Sequence, residues 1–453
     1  MTEKYNKIYK LGLLLMMTIA MGSCEDFLDA KPEKNLVVPR TVQDLQALLE
    51  SVVIFNTTPA LDIIAADEYY NTDQGWASYN NHMVQQAHLR NFKKIYEGNS
   101  FVADWAMPYE QVYNANLCLE FAENITTTTS EEKTALDNVI GTSLFVRGFA
   151  FHNLIKNFGE GYNSATAQTN QGIPLPLGSD VTIFYPFSNL EEAYKQTVAD
   201  LEASLIYLPD LPLYKSRPSR ASAYAMLARV YLSMGDYENA MESATACLQI
   251  QDKLLDFNTI NPAALYPIPR ANEEVIYHAE AVNYASFPRS VETKVDTVLL
   301  RSFEENDLRS QAFFNLQENG SYNFKGFFTG GPTHFTGLAV SEVLLIRAEC
   351  AARTGQLGIA LQDLNRLLES RWKLGMFVPL ESESQADILK MVLNERHKDL
   401  LFRGLRWTDI KRLVIAGEWQ DVLVRRLNGE TFAFDPRTEN MAFPIPEDEI
   451  QNR

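Results

Sequence analysis

The side chains best suited to chemistry gather first between Asp62 and His82. Asp67-Glu68-Tyr69-Tyr70-Asn71 and Gly75-Trp76-Ala77-Ser78-Tyr79-Asn80-Asn81 interleave aromatic rings with carboxylates and carboxamides, without sustained periodicity. On a polar loop such a mixture suits a sugar. Apolar ring faces stack on aromatics, while Asp and Asn at the edge bond the hydroxyls. The candidate ligand-binding residues are Asp67, Tyr69, Tyr70, Asn71, Trp76, Tyr79 and Asn80. Tyr284, Phe287 and Arg289 are expected to face them from a second irregular stretch. For each of these aromatics the competing reading is loop packing against helices.

Catalytic constellations are missing from the sequence. It holds no His-Glu-x-x-His, no Gly-x-Ser-x-Gly, no Gly-rich phosphate loop before Lys-Ser/Thr and no EF-hand loop. The six histidines are scattered, with no pair at i, i+4, so no metal site and no cofactor is expected. His152 and His397 lie in helical patterns and read as packed or surface residues. Carboxylates are plentiful, so counting alone does not exclude a glycosidase pair. No motif supports one, and the chain reads as a non-enzyme. A net charge of −18 argues against a nucleic-acid partner, because phosphate is repelled. It does not argue against a neutral ligand.

The elements that must position these loops are helices. From Ser219 to Ile250, Tyr224, Leu227, Ala228 and Tyr231 share one helix face, and after Gly235 so do Tyr237, Ala240, Met241, Ala244 and Leu248. Gly235 supplies a tight turn, and the alanines let two antiparallel helices approach closely. This is the tetratricopeptide pattern. The register returns 120 residues later, where Gly355 answers Gly235, and Leu357, Ala360, Leu361, Leu364 and Leu368 answer the second helix. A helix pair of this kind cannot bury its apolar face alone, which implies stacked neighbours. Further helices are expected over 41–51, from Trp105 to Phe121, from Ser130 towards Phe158, and over 190–208. Trp105, Trp372, Trp407 and Trp419 sit in helical patterns and are expected in the core. Between Asp252 and Phe335 the chain turns irregular, with five prolines, many aromatics and short strand-like pieces such as Glu274 to Tyr277. So long an irregular stretch inside a folded chain is expected to be functional, one wall of a binding surface.

Cys118, Cys247 and Cys350 lie among apolar residues and read as buried free thiols. Cys24 differs. Lys4, Lys7 and Lys10 precede an apolar run from Leu11 to Met21, too short to span a bilayer, and Gly22-Ser23 lead into the cysteine. Residues 1–23 therefore look like a bacterial lipoprotein signal, with Cys24 as the lipidated first residue of a tethered protein.

Cys24-Glu25-Asp26-Phe27-Leu28-Asp29 and Pro32 resemble the start of SusD/RagB-family lipoproteins. Asn157-Phe158-Gly159 with Gly172 to Leu175 is similar to a middle segment of that family. The stretch holding Glu395-Arg396, Leu400-Leu401-Phe402-Arg403-Gly404-Leu405-Arg406 and Asp409 to Arg412 resembles its C-terminal signature, although Arg403 stands where an acidic residue is usual. Phe443-Pro444-Ile445-Pro446 resembles its ending. Physically, Glu395 with Arg396, and Arg406 with Asp409 and Arg412, are expected to lock the last helices together. The resemblance implies a mainly all-α chain, a tetratricopeptide-like scaffold with loop-rich excursions. It implies one domain over 24–453, with an N-terminal part over about 24–250 and a C-terminal part over about 251–453. It further implies a lipoprotein facing outward from the outer membrane, which binds an oligosaccharide and passes it to a TonB-dependent SusC-like transporter. The alternatives are a peptide-binding RagB-like member and a lipid-anchored scaffold for other proteins.

Overall fold

The computed structural model describes residues 39–98, 101–284, 287 and 292–451. Cys24, the expected signal over 1–23 and Arg289 lie outside them. The chain divides into two units, residues 1–40 and 41–453, and all elements named here lie in the second.

Local sequence sets most helix starts. Helix α1 (Val42–Leu48) begins at Thr41, whose hydroxyl accepts from the Asp44 N–H while the Asp44 carboxylate accepts from the Thr41 N–H. After α2 (Ala103–Ala122) comes α3 (Ser130–Phe158), where Thr129 and Glu132 cap each other in the same way. Every residue of α3 from Phe145 to Phe158 is buried, as befits a helix surrounded by protein. It packs between α2 and α4 (Leu190–Ser204).

The two expected hairpins are present. Helices α5 (Arg220–Met234) and α6 (Tyr237–Ile250) turn at Gly235, with φ +74°, and α7 (Val340–Arg353) and α8 (Leu357–Glu369) turn at Gly355, with φ +79°. Left-handed backbone of this kind favours glycine. Ala240, Ala244 and Leu248 of one pair, and Ala360, Leu364 and Leu368 of the other, are buried. Although 120 residues apart in register, the hairpins meet directly, α6 against α7. Helix α9 (Gln385–Asp399) packs on α7, and the chain then reverses through Phe402 and Gly404, both at positive φ, into α10 (Arg406–Ile415). A short hairpin, Leu423–Leu427 with Glu430–Phe434, follows; its burial alternates along the first strand.

The irregular stretch between α6 and α7 is tied to the scaffold in two ways. Its short strands pair with the N-terminal part: Glu280–Ala281 runs parallel to Thr57–Thr58, and Thr293–Val295 runs antiparallel to Tyr69–Asn71. Buried charges do the rest. Arg309 bonds Asp307 (Nη2 to Oδ2, 2.6 Å) and Glu395 of α9 (2.7 Å), and Arg371 bonds both Glu274 (2.9 Å) and Asp399 (2.8 Å). The expected partners of the C-terminal signature need correction. Arg396 and Arg412 do share Asp409, at 2.9 and 2.8 Å, but Glu395 pairs with Arg309 and Arg406 pairs with Asp67. Arg403 is buried 3.8 Å from the Phe328 ring centroid, so the non-acidic residue at this position is housed by an aromatic face.

Candidate functional site

The loop over 62–82 and the stretch over 252–335 do come together, but their expected ligand residues mostly turn inward. Tyr69 is fully buried; its hydroxyl donates to the Ile64 carbonyl at 2.7 Å and lies 2.9 Å from His88 Nδ1. Asn71 donates to the Tyr79 hydroxyl at 2.8 Å, and that hydroxyl lies 2.9 Å from Thr293 Oγ1. Phe287 packs edge-on against Tyr69, 4.9 Å between centroids, and sits 6.2 Å from Tyr79. Tyr284 donates to Asp104. For Tyr69, Asn71, Tyr79, Tyr284 and Phe287 burial favours the loop-packing reading over ligand contact, although Tyr69 also borders a polar cavity. Asp67 is paired with Arg406 through two bonds of 2.8 Å; burial opposes ionisation, but the guanidinium holds its carboxyl well below the usual range. Trp76 is half-buried and donates from its indole N–H to Gln85 O at 3.1 Å. Tyr70 and Asn80 are exposed. Tyr70 and Asp67 border one polar cavity of about 620 Å³, together with Asp296, Glu395, Arg406 and Trp419.

A different cavity, of about 420 Å³, opens where the irregular stretch folds on itself. Its walls are the hairpin Phe314–Leu316 with Tyr322–Phe324, the turn over 263–266, Thr293, and the segment holding Pro332 and His334. Phe402, on the left-handed reversal between α9 and α10, reaches it from the scaffold side. Rings form the floor. Phe324 lies 5.0 Å from Phe327 and 4.9 Å from Phe402, Phe327 lies 5.2 Å from His334, and Tyr266 lies 6.2 Å from Phe327. Asn315, Gln317, Asn323 and Lys325 supply the polar wall. Asn323 donates to the Thr293 carbonyl at 2.7 Å, which ties the hairpin to the strand paired with Tyr69–Asn71.

His334 is buried in this floor, and neither ring nitrogen has a hydrogen-bond partner. Burial pushes its pKa down to about 3, so the ring is neutral at ordinary pH. Beneath the same floor, Glu68 accepts from the Phe402 N–H at 3.1 Å, and burial pushes its carboxyl up to about 8. Among the described residues no group of three or more His, Cys, Asp or Glu is placed to hold a metal ion. The cavity offers stacking faces and carboxamide edges, which is binding chemistry. Sequence reasoning picked the stretch but missed Tyr266, Phe324 and Phe327. In a segment without periodicity nothing separates a ring on the floor from a ring in the core.

The fold is thus a stacked helical-repeat scaffold carrying an aromatic-floored cavity. Residues 26–232 match a family described as "Starch-binding associating with outer membrane", residues 335–453 match the SusD family, and residues 221–253 match the tetratricopeptide repeat. The chain belongs to the SusD/RagB family, a carbohydrate-binding and outer-membrane-associated family. It is 22% identical to SusD-like protein P2 of Formosa agariphila, over 91% of this chain and 92% of that protein. A SusD superfamily protein from Bacteroides vulgatus has the same fold, with a TM-score of 0.73 at 20% identity over 91% of this chain and 97% of that one. A laminarin-binding SusD-like protein superposes with a TM-score of 0.64 at 16% identity, over 91% of this chain and 98% of that one.

Proposed function

We propose that the protein captures an oligosaccharide in the cavity where Tyr266 and Phe324 are half-exposed over the buried rings of Phe327 and Phe402, and hands it to a TonB-dependent SusC-like transporter. The carrying observation is that floor, set beside the carboxamides of Asn315, Gln317 and Asn323. It gives a sugar ring an apolar face and its hydroxyls donors and acceptors at the edge. Tyr69, Asn71, Tyr79 and Phe287 serve this site from behind, as packing under the Thr293 strand. The laminarin-binding relative supports the ligand class.

The protein acts by affinity and delivery, and catalyses nothing. Cys24 carries the lipid that tethers it to the outside of the outer membrane once residues 1–23 are removed. No helix among the described residues is long and apolar enough to cross a membrane. Residues 24–453 act as one functional domain.

Titration calorimetry of the purified protein against a panel of glycans and peptides tests the reading. Heat with oligosaccharides is expected. Silence with every glycan from a folded protein overturns it, and heat with peptides alone favours the RagB-like alternative. Co-purification of the lipidated protein with a TonB-dependent barrel transporter tests delivery; failure to co-purify refutes that part.

A further inference from the structure

The protein carries a net charge of −18, yet none of the fourteen residues lining the aromatic cavity is Asp or Glu. Three other cavities do carry acids. One contains Asp180 and Glu449, another Glu97, Glu447 and Asp448, and the polar one Asp67, Asp296 and Glu395 among its acids. The aromatic cavity differs from these in having no carboxylate in its lining.

The one charged side chain in the lining is Lys325. It follows directly on the floor residue Phe324. Its ammonium donates to the Pro262 carbonyl at 2.6 Å, and no carboxylate lies within ion-pair distance of it among the described residues. Partial burial pushes its pKa down, because hydration is lost without a counter-charge to replace it. Gln317 and Asn315 stand on the same wall and bring carboxamide N–H donors. His334 in the floor is neutral and adds no charge, and its ring nitrogens are buried away from the cavity. The cavity therefore combines one uncompensated cation, several neutral donors and no anion. A neutral sugar needs none of that asymmetry. An acidic sugar does: its anion would be repelled by carboxylates and would replace the hydration that Lys325 has lost.

We infer that this cavity selects an oligosaccharide bearing an acid group, a uronate carboxylate or a sulfate ester, with the anion on Lys325 and a sugar face on Tyr266 or Phe324. The inference rests on the capture reading above and narrows its ligand class.

The test is calorimetry on the intact mature protein with four probes of matched length. They are an oligogalacturonate, a sulfated galactan oligosaccharide, an unsulfated galactan oligosaccharide and a laminari-oligosaccharide. At low salt at least one acidic probe is expected to bind about tenfold or more tighter than the neutral ones, and this advantage should shrink as salt is raised. The carboxylate and sulfate probes separate the two sources of anion. Lys325→Gln is expected to abolish the preference for acidic over neutral probes, and Lys325→Arg to retain it, with circular dichroism showing that both variants fold. Neutral probes binding as tightly as both acidic ones, or a preference untouched in Lys325→Gln, overturns the inference and leaves oligosaccharide capture standing. Absence of heat with all four probes and with the wider glycan panel overturns both.

Discussion

Replacing Arg371 with methionine should uncouple the binding stretch from its scaffold. The side chain is fully buried and connects three separate parts of the chain. Its Nη2 bonds both oxygens of Glu274 at 2.9 Å, Nε bonds Asp399 at 2.8 Å, Nη1 bonds the Leu255 carbonyl at 2.9 Å, and the guanidinium lies 4.4 Å from the Phe257 centroid. Methionine fills much of the space but supplies no donor. Glu274 would keep the Leu255 N–H at 3.1 Å and a distant Arg403 at 4.0 Å, and Asp399 would keep Arg309 at 3.4 Å. Two buried carboxylates thus lose their main partner. Breaking such a pair from one side costs about 3–5 kcal/mol, far more than an exposed pair is worth. Urea unfolding followed by tryptophan fluorescence should show that loss as a lower midpoint. The pH dependence gives a second readout. Burial opposes ionisation of Asp399, but Arg371 and Arg309 hold its pKa below the usual range. A depressed carboxyl contributes stability above its unfolded pKa, near 3.9, and loses it as pH falls through the folded value. The gap between wild type and Arg371→Met should therefore narrow on acidification below about pH 4. A loss under about 1 kcal/mol, or a gap independent of pH, would refute the view that this network clamps the excursion.

Three further outcomes are expected. Tyr266→Ala should weaken oligosaccharide binding about tenfold, near 1.4 kcal/mol, while the thermal midpoint stays within about a degree; unchanged affinity would place the ligand elsewhere. Glu68→Gln should gain on the wild type as pH rises from about 4.5 to 8, because the unfolded carboxyl ionises near 4.5 while burial keeps the folded one neutral until about 8. The gap should widen by about 1.4 kcal/mol per pH unit across that window and level off above about pH 8; a gap that stays constant from about pH 5 to pH 8 would contradict the burial argument. Gly235→Ala places a side chain at φ +74° and should cost about 1–2 kcal/mol in chemical denaturation, with no neighbour nearer than the Tyr237 hydroxyl at 3.9 Å to add a clash.

Much of the scaffold was legible in the sequence, because helices are written in local terms. Capping at Thr41, the spacing of Ala240, Ala244 and Leu248, and the glycines at 235 and 355 all act within one or two turns. They determine an element wherever it ends up. The C-terminal signature was legible too, and with it the family. Which carboxylate answers which arginine was not. Arg406 reaches Asp67 and Arg371 reaches Glu274, pairings that join residues hundreds or about a hundred positions apart and leave no periodic trace. The site followed the same divide. Composition marked the stretch between Asp252 and Phe335 as special, yet Phe287 and Phe324 look alike in sequence; one ring was packed against Tyr69 and the other left on a cavity floor only when the strands paired. Side-chain type and spacing settle what an element is, since those forces are short-ranged along the chain. Burial and charge partners depend on what arrives from elsewhere, and only the folded chain decides them.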